Sequence, residues 1–107
     1  MVVTIPQRGE IWWGESPAEK GRPYLVLTRD GATAVRSRIV VAPVTTRIRS
    51  HPAELSLGLA EGLVRDSVAN FDEVFTIAKS LLTWRLGSLG GVRIQELCSV
   101  MRASIDC

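Results

Sequence analysis

Histidine is all but missing from this chain. His51 is the one copy among 107 residues, so no imidazole pair can divide acid and base roles between them. Cysteine stops at Cys98 and Cys107. With a single histidine these cannot complete a four-ligand zinc site. Cys98 reads as a small core residue and Cys107 as a thiol near the chain end, and a reducing cytoplasm is the expected setting. Long apolar runs are absent as well. The longest, Ile39 to Val44, is six residues, far short of the ~20 that span a bilayer. The opening Met-Val-Val-Thr-Ile-Pro has no basic segment of the kind that starts a signal peptide, so no membrane is expected. No G-x-S-x-G, H-E-x-x-H, Walker A or paired C-x-x-C motif occurs. Carboxylates sit together only at Asp72-Glu73, and neighbours on a strand face opposite ways. Neither a metal nor a cofactor is expected.

What is present is a folded composition with an uneven charge. Hydrophobic residues make up 46% of the chain, which excludes wholesale disorder, and the length suits one domain over residues 1–107. A chain this short buries only about two thirds of its unfolded surface, so burying more in a homodimer would help it. The net charge of +2 hides three blocks. Residues 20–51 carry seven basic residues against Asp30 alone, a block of +6, and each flanking segment carries −2. Arginine outnumbers lysine 11 to 2, and arginine is the side chain that forks onto phosphate or carboxylate. A segregated basic block points to a polyanionic partner, although the same charges scattered over a solvated surface would read identically.

Short strands dominate the pattern. Ile11-Trp12-Trp13 ends a first strand from Arg8 to Gly14, and Gly14 to Gly21 reads as a loop. Pro23 to Thr28 is a buried second strand. Ser37 to Val44 is the strongest strand signal, with Pro43 implying an edge or bulge. Thr45 to Pro52 is a basic turn. Further short strands are expected at 53–57, at 67–71 and 74–77 (or one strand interrupted at Asp72-Glu73), and at 83–86. After Gly90-Gly91, Ile94, Leu97, Val100 or Met101, and Ile105 recur at helical spacing. The pattern predicts a mainly β protein, a small curled β-barrel capped by a C-terminal α-helix.

Arginines and hydroxyls gather at the predicted strand ends. Gly21-Arg22-Pro23 sets an arginine where a loop enters a buried strand, with Pro23 stiffening the backbone. Val44-Thr45-Thr46-Arg47 sets two hydroxyls and an arginine where the next core strand ends. If Arg22 and Thr45 converge, they offer a guanidinium fork and a hydroxyl to one phosphate. The alternative is that Arg22 pairs with Glu15 or Glu19 while Thr45 caps a turn.

Arg8-Gly9-Glu10-Ile11-Trp12, Gly21-Arg22-Pro23-Tyr24-Leu25-Val26-Leu27, Val40-Val41-Ala42-Pro43-Val44-Thr45-Thr46, Arg65-Asp66-Ser67-Val68 and Phe75-Thr76-Ile77 occur in that order. Together they resemble the MazF/PemK toxin family over nearly the whole chain. The resemblance implies an SH3-like β-barrel with a C-terminal helix, a homodimer, and a metal-independent endoribonuclease that cuts single-stranded RNA at short sequences. It also implies a cognate antitoxin. Arg22 matches the family's catalytic arginine and Thr45 its catalytic hydroxyl, with Thr46 next in register. Arg47 and Glu73 stand where some members carry Gln and count as RNA contacts, as does Arg49 on the same exit loop. Trp12 and Trp13 should face opposite ways, one into the core and one outward, with Trp12 the candidate for stacking a base. The 14–21 loop is shorter than in many members. Competing readings are a toxin-like protein that inhibits a protein target such as DNA gyrase, and a non-catalytic SH3-like docking module.

Overall fold

The computed structural model describes residues 5–16 and 19–102, with the side chains of 16 and 19 set aside. Seven strands appear among these residues, in chain order: β1 (Glu10–Ser16), β2 (Glu19–Val26), β3 (Arg38–Thr45), β4 (Glu54–Leu57), β5 (Ser67–Asn70), β6 (Phe75–Ala78) and β7 (Leu82–Ser88). A four-residue helix α1 (Ala32–Val35) lies between β2 and β3, and α2 (Ile94–Arg102) follows β7. All pairings are antiparallel, in the order β4-β5-β3-β2-β1-β7, with β6 also on β3. The result is a mainly β, curled half-barrel with a C-terminal helix.

β3 organises this arrangement. One of its edges pairs with β2, the other with β6 through residues 38–41 and then with β5 through Val44 and Thr45. β5 and β6 are thus one strand path interrupted by a 3₁₀ turn at Phe71–Glu73, capped by Asn70 Oδ1, which accepts from the Asp72 amide at 2.9 Å. Asp72 and Glu73 therefore lie in the expected break between two short strands, and the strand alternation invoked to part their carboxylates does not apply to them. Pro43 marks neither an edge nor a bulge: it is buried on a central strand, opposite Tyr24, at the last β2–β3 pair. Leu27 N donates to Val40 O, so in this register Pro23 faces β3 and brings no N–H to that end of the ladder, while Pro43 faces the other edge, between the β6 and β5 pairings; there β2 and β3 part.

Alternation sorts the apolar residues onto two faces. Ile11, Leu25, Leu27, Val44, Phe71, Leu97 and Met101 form a core beneath α2. Trp12, Tyr24, Ile39, Val41, Ile77 and Leu82 form a second cluster. β2 and β3 feed both, which is why their sequences read as continuous apolar runs. Each such side chain, fully buried, contributes roughly 1.5–3 kcal/mol.

The 14–21 segment is mostly strand, not loop. Gly14 pairs with Arg22 and Ser16 with Glu19, and residues 17 and 18 lie outside the described set. These polar residues extend the hairpin beyond the core, so nothing apolar marks them as strand. Gly21 is required here, because a Cβ would fall 2.4 Å from the Trp13 ring. α2 matches the predicted spacing, with Leu97 and Met101 buried; Ile105 is outside the described residues. The helix is fastened by the buried Glu61, whose Oε1 lies 3.3 Å from Arg93 Nη1, while Arg93 Nη2 donates to Glu96 at 2.9 Å. That bond holds the Glu96 carboxyl below its usual range and raises Arg93. Cys98 departs from expectation: it is half-buried and disulfide-bonded rather than a free core thiol. Cys107 lies outside the described residues. No helix among those residues is long and apolar enough to cross a membrane.

Candidate active site

The parting of β2 and β3 opens a cleft, and Arg22 and Thr45 stand on its two walls. The β2–β3 register runs Val26↔Val41, Leu25↔Ala42, Tyr24↔Pro43; continued two residues further, it sets Arg22 opposite Thr45 and on the same face. The ladder does not continue, because β3 turns to β5. The gap is a cavity of about 590 Å³ lined by Lys20, Gly21, Arg22, Val44, Thr45 and Thr46. A second cavity of about 200 Å³ adjoins it, shared by Arg22, Thr45, Arg47, Arg49, Glu54 and Glu73. A third, of about 440 Å³, runs from Arg22 along β6 to Arg38. Arg22 borders all three.

Arg22 is half-buried and its guanidinium has no hydrogen-bond or ion-pair partner among the described residues. Glu15, one of the two carboxylates weighed as its partner, instead accepts from Trp13 Nε1 at 3.2 Å; the Glu19 side chain is outside the described set. Thr45 does cap a turn, since its Oγ1 accepts from the Arg47 amide at 3.1 Å. That bond uses a lone pair and leaves the O–H to donate elsewhere. The turn thus orients the hydroxyl without consuming its proton.

The exit loop carries Arg47 and Arg49, both exposed. Glu54 holds it by accepting from the amides of Arg49 (3.1 Å) and His51 (3.3 Å). His51 lies 3.6 Å from Asp72 and accepts from the Ala53 amide through the same Nδ1. Four cations, Lys20, Arg22, Arg47 and Arg49, therefore share one end of the half-barrel, while Arg29 and Arg36 fall at the opposite end of β2 and β3. The basic block is divided by the fold. Among the described residues no three His, Cys, Asp or Glu side chains gather as a metal site.

The chain matches the model of the PemK-like, MazF-like toxin of type II toxin–antitoxin systems over residues 7–105. It belongs to that family. A protein of Mycobacterium tuberculosis strain H37Rv named probable endoribonuclease MazF5 is 36% identical over 107 residues, covering 99% of this chain and 98% of the relative. The solved structure of Mycobacterium tuberculosis toxin MazF-mt6 superposes with a TM-score of 0.81 at 28% identity, over 92% of this chain and 99% of that one. An endoribonuclease from a mycobacterial species, solved in complex with its cognate antitoxin, gives 0.80 at 20% identity, over 92% and 93%. At that identity it supports the fold alone.

Within this toxin fold the expected site residues separate into those that converge and one that does not. Arg22, Thr45, Thr46, Arg47, Arg49 and Glu73 all line the connected cavities. Trp12 does not. It is 4% exposed, packs in the second core cluster, and its indole N–H donates to Glu10 at 3.0 Å, so it has no free face for a base. The β1 alternation sends Trp13 the other way, where it stacks on Trp84 with centroids 5.7 Å apart. Sequence reasoning missed Glu54 and the third cavity with Phe75 and Arg38, residues that meet only through the β3–β6 and β4–β5 pairings.

Proposed function

We propose that this chain, acting as a single toxin domain over residues 1–107, is the endoribonuclease of a type II toxin–antitoxin pair. It cuts single-stranded RNA at short sequences in the cytoplasm, without a metal ion, as a homodimer held in check by a cognate antitoxin. The observation that carries this reading is the placement of Arg22, unpaired among the described residues, across one cleft from the oriented Thr45 hydroxyl. Family membership and the relatives' names support it.

RNA brings its own nucleophile. The 2′-oxygen attacks the adjacent phosphorus in line as the P–O5′ bond breaks, giving a 2′,3′-cyclic phosphate and a 5′-hydroxyl. The protein must hold that geometry, offset the charge building on the non-bridging oxygens, and supply a proton to the departing O5′. The Arg22 guanidinium, a fixed cation, offsets the charge on the phosphate and hydrogen-bonds the departing O5′, while water takes up the 2′-hydroxyl proton and returns one to O5′. The Thr45 O–H donates to a non-bridging oxygen. Arg47 and Arg49 hold flanking phosphates, and Thr46 lines the same wall.

The test is to incubate purified protein with a long RNA in EDTA and map the new 5′ ends. Discrete cuts with 5′-hydroxyl and cyclic-phosphate termini are expected. Activity abolished by chelation and restored by Mg²⁺ overturns the metal-free mechanism. Intact RNA overturns the nuclease reading and leaves inhibition of a protein such as gyrase, or a docking module. Growth arrest on expression, relieved by the product of the adjacent upstream gene, identifies the antitoxin.

A further inference from the structure

The cavity beside β6 is of the size and make-up of a small-ligand site, and the catalytic pair does not account for it. It encloses about 440 Å³ and is walled by Tyr24, Phe75 and Leu81 with three charged side chains, Arg22, Arg38 and Glu73. Binding sites combine apolar surface with a few polar groups that select the ligand; this one is lined about equally by polar and apolar surface and opens onto the proposed catalytic arginine. Phe75 is 42% exposed, which is unusual for its size on a strand, and the Tyr24 ring holds it edge-to-face at 5.6 Å. Its open ring is a fixed platform for a flat ligand. Arg38 is anchored by one donation, from Nη2 to the Thr76 carbonyl at 3.1 Å, and a guanidinium has five N–H groups, so donors remain for a phosphate. Glu73 and Arg22 border both this cavity and its neighbour, with no ion pair between them.

We propose that this cavity receives the nucleobase next to the scissile phosphate, stacked on Phe75, and that Glu73 selects guanine there. This rests on the nuclease reading above. An ionised carboxylate only accepts hydrogen bonds. Guanine is the one base whose Watson–Crick edge presents two adjacent donors, N1–H and the N2 amino group, and it pairs with both carboxylate oxygens. Uracil, adenine and cytosine each place an acceptor beside their donor, and that lone pair meets the second carboxylate oxygen. Protein recognition of unstacked RNA bases commonly combines stacking on an aromatic ring with hydrogen bonds to this edge. Arg22 and Arg38, at opposite ends of the cavity, bracket the base with positions for its two phosphates.

The experiment is to map cuts in a randomised single-stranded RNA pool for wild type, Glu73→Gln and Phe75→Leu, with light scattering on each. Wild type should show guanine enriched at one fixed position beside the cut. Glu73→Gln, which presents one donor and one acceptor, should admit the other bases at that position alone, leaving the remaining preferences in place. Phe75→Leu should raise KM about five- to a hundredfold, the range for losing one base stack, with kcat at saturation little changed. A wild type that cuts with no guanine preference at any flanking position overturns the inference, as does an unchanged cut pattern in Glu73→Gln. If Phe75→Leu turns a dimer into a monomer, the cavity is a face between two copies and the inference falls. A wild type that cuts no RNA overturns the nuclease reading and this inference together.

Discussion

Arg22 and Thr45 are register partners whose ladder has been taken away. Two residues past the last β2–β3 pair, Tyr24↔Pro43, they face each other across a cleft because β3 has turned to pair with β5. A continuous sheet would have filled that space with backbone hydrogen bonds. The site exists because Pro23 and a change of partner on β3 end the ladder there.

Removing either residue should therefore damage chemistry more than folding. Arg22→Ala strands no partner among the described residues and is expected to change stability by less than about 0.5 kcal/mol, while cleavage is abolished. Thr45→Ala should lower kcat by about 10²–10³-fold, as for the loss of one charge-stabilising donor, and Thr45→Ser should recover most of it. Paired melting curves and single-turnover RNA cleavage measure both. Undiminished cutting by folded Arg22→Ala refutes the mechanism.

The salt dependence of binding reports how many phosphates the cations engage. With ~3–5 phosphates neutralised, log affinity for a single strand should fall with log salt at a slope of about −2 to −3.5. Truncating Arg47 or Arg49 should each make that slope shallower by about 0.7. Arg29→Ala, at the far end of the strands, should leave it unchanged. A flat salt response in wild type argues against the groove.

A different prediction concerns Thr33 in α1. Its Oγ1 is fully buried and has no hydrogen-bond partner among the described residues, so a polar group is desolvated without compensation. Thr33→Val keeps the shape and removes that group, and should stabilise the protein by about 1 kcal/mol. Chemical denaturation measures this. A clear loss of stability would mean that the hydroxyl is satisfied after all.

The helix clasp should be acid-sensitive. Arg93 holds the Glu96 carboxyl below its ordinary range by a hydrogen bond and by its charge. A depressed carboxylate contributes stability above its unfolded pKa and loses it as pH falls through the folded value. Tm should therefore fall below about pH 4.5 more steeply for wild type than for Glu96→Gln. The two curves should be separated at pH 7 and draw together as acid protonates Glu96 in the folded protein. Parallel curves over that range would exclude Glu96 as a source of acid sensitivity.

Much of this architecture was legible residue by residue. The run Ile39–Val44, the break at Asp72-Glu73 and the spacing of Ile94, Leu97 and Met101 each declared an element, because burial imposes a period on the chain. The hairpin extension at 14–16 and 19–21 was not legible: its pairing uses backbone groups, which are alike for every residue, and Glu15 and Lys20 are exposed. Trp12 and Trp13 could be assigned to opposite faces from alternation but not to particular ones, since burial of Trp12 depends on the second cluster that Tyr24, Ile39, Val41 and Ile77 form on its face of the sheet. α1 has four residues and too little pattern to signal itself.

By itself the sequence determined the mainly β class, the terminal helix and the arginine and hydroxyl at two strand ends, since local periodicity and residue chemistry are one-dimensional properties. Its +6 block of charge was equally visible, but only the folded chain divided it, sending Lys20, Arg22, Arg47 and Arg49 to one end and Arg29 and Arg36 to the other. Tertiary structure alone brought Phe75 and Arg38 to the cavity that Arg22 borders, through pairings between residues more than thirty positions apart. Such contacts depend on strand partners and register, which side-chain periodicity does not encode.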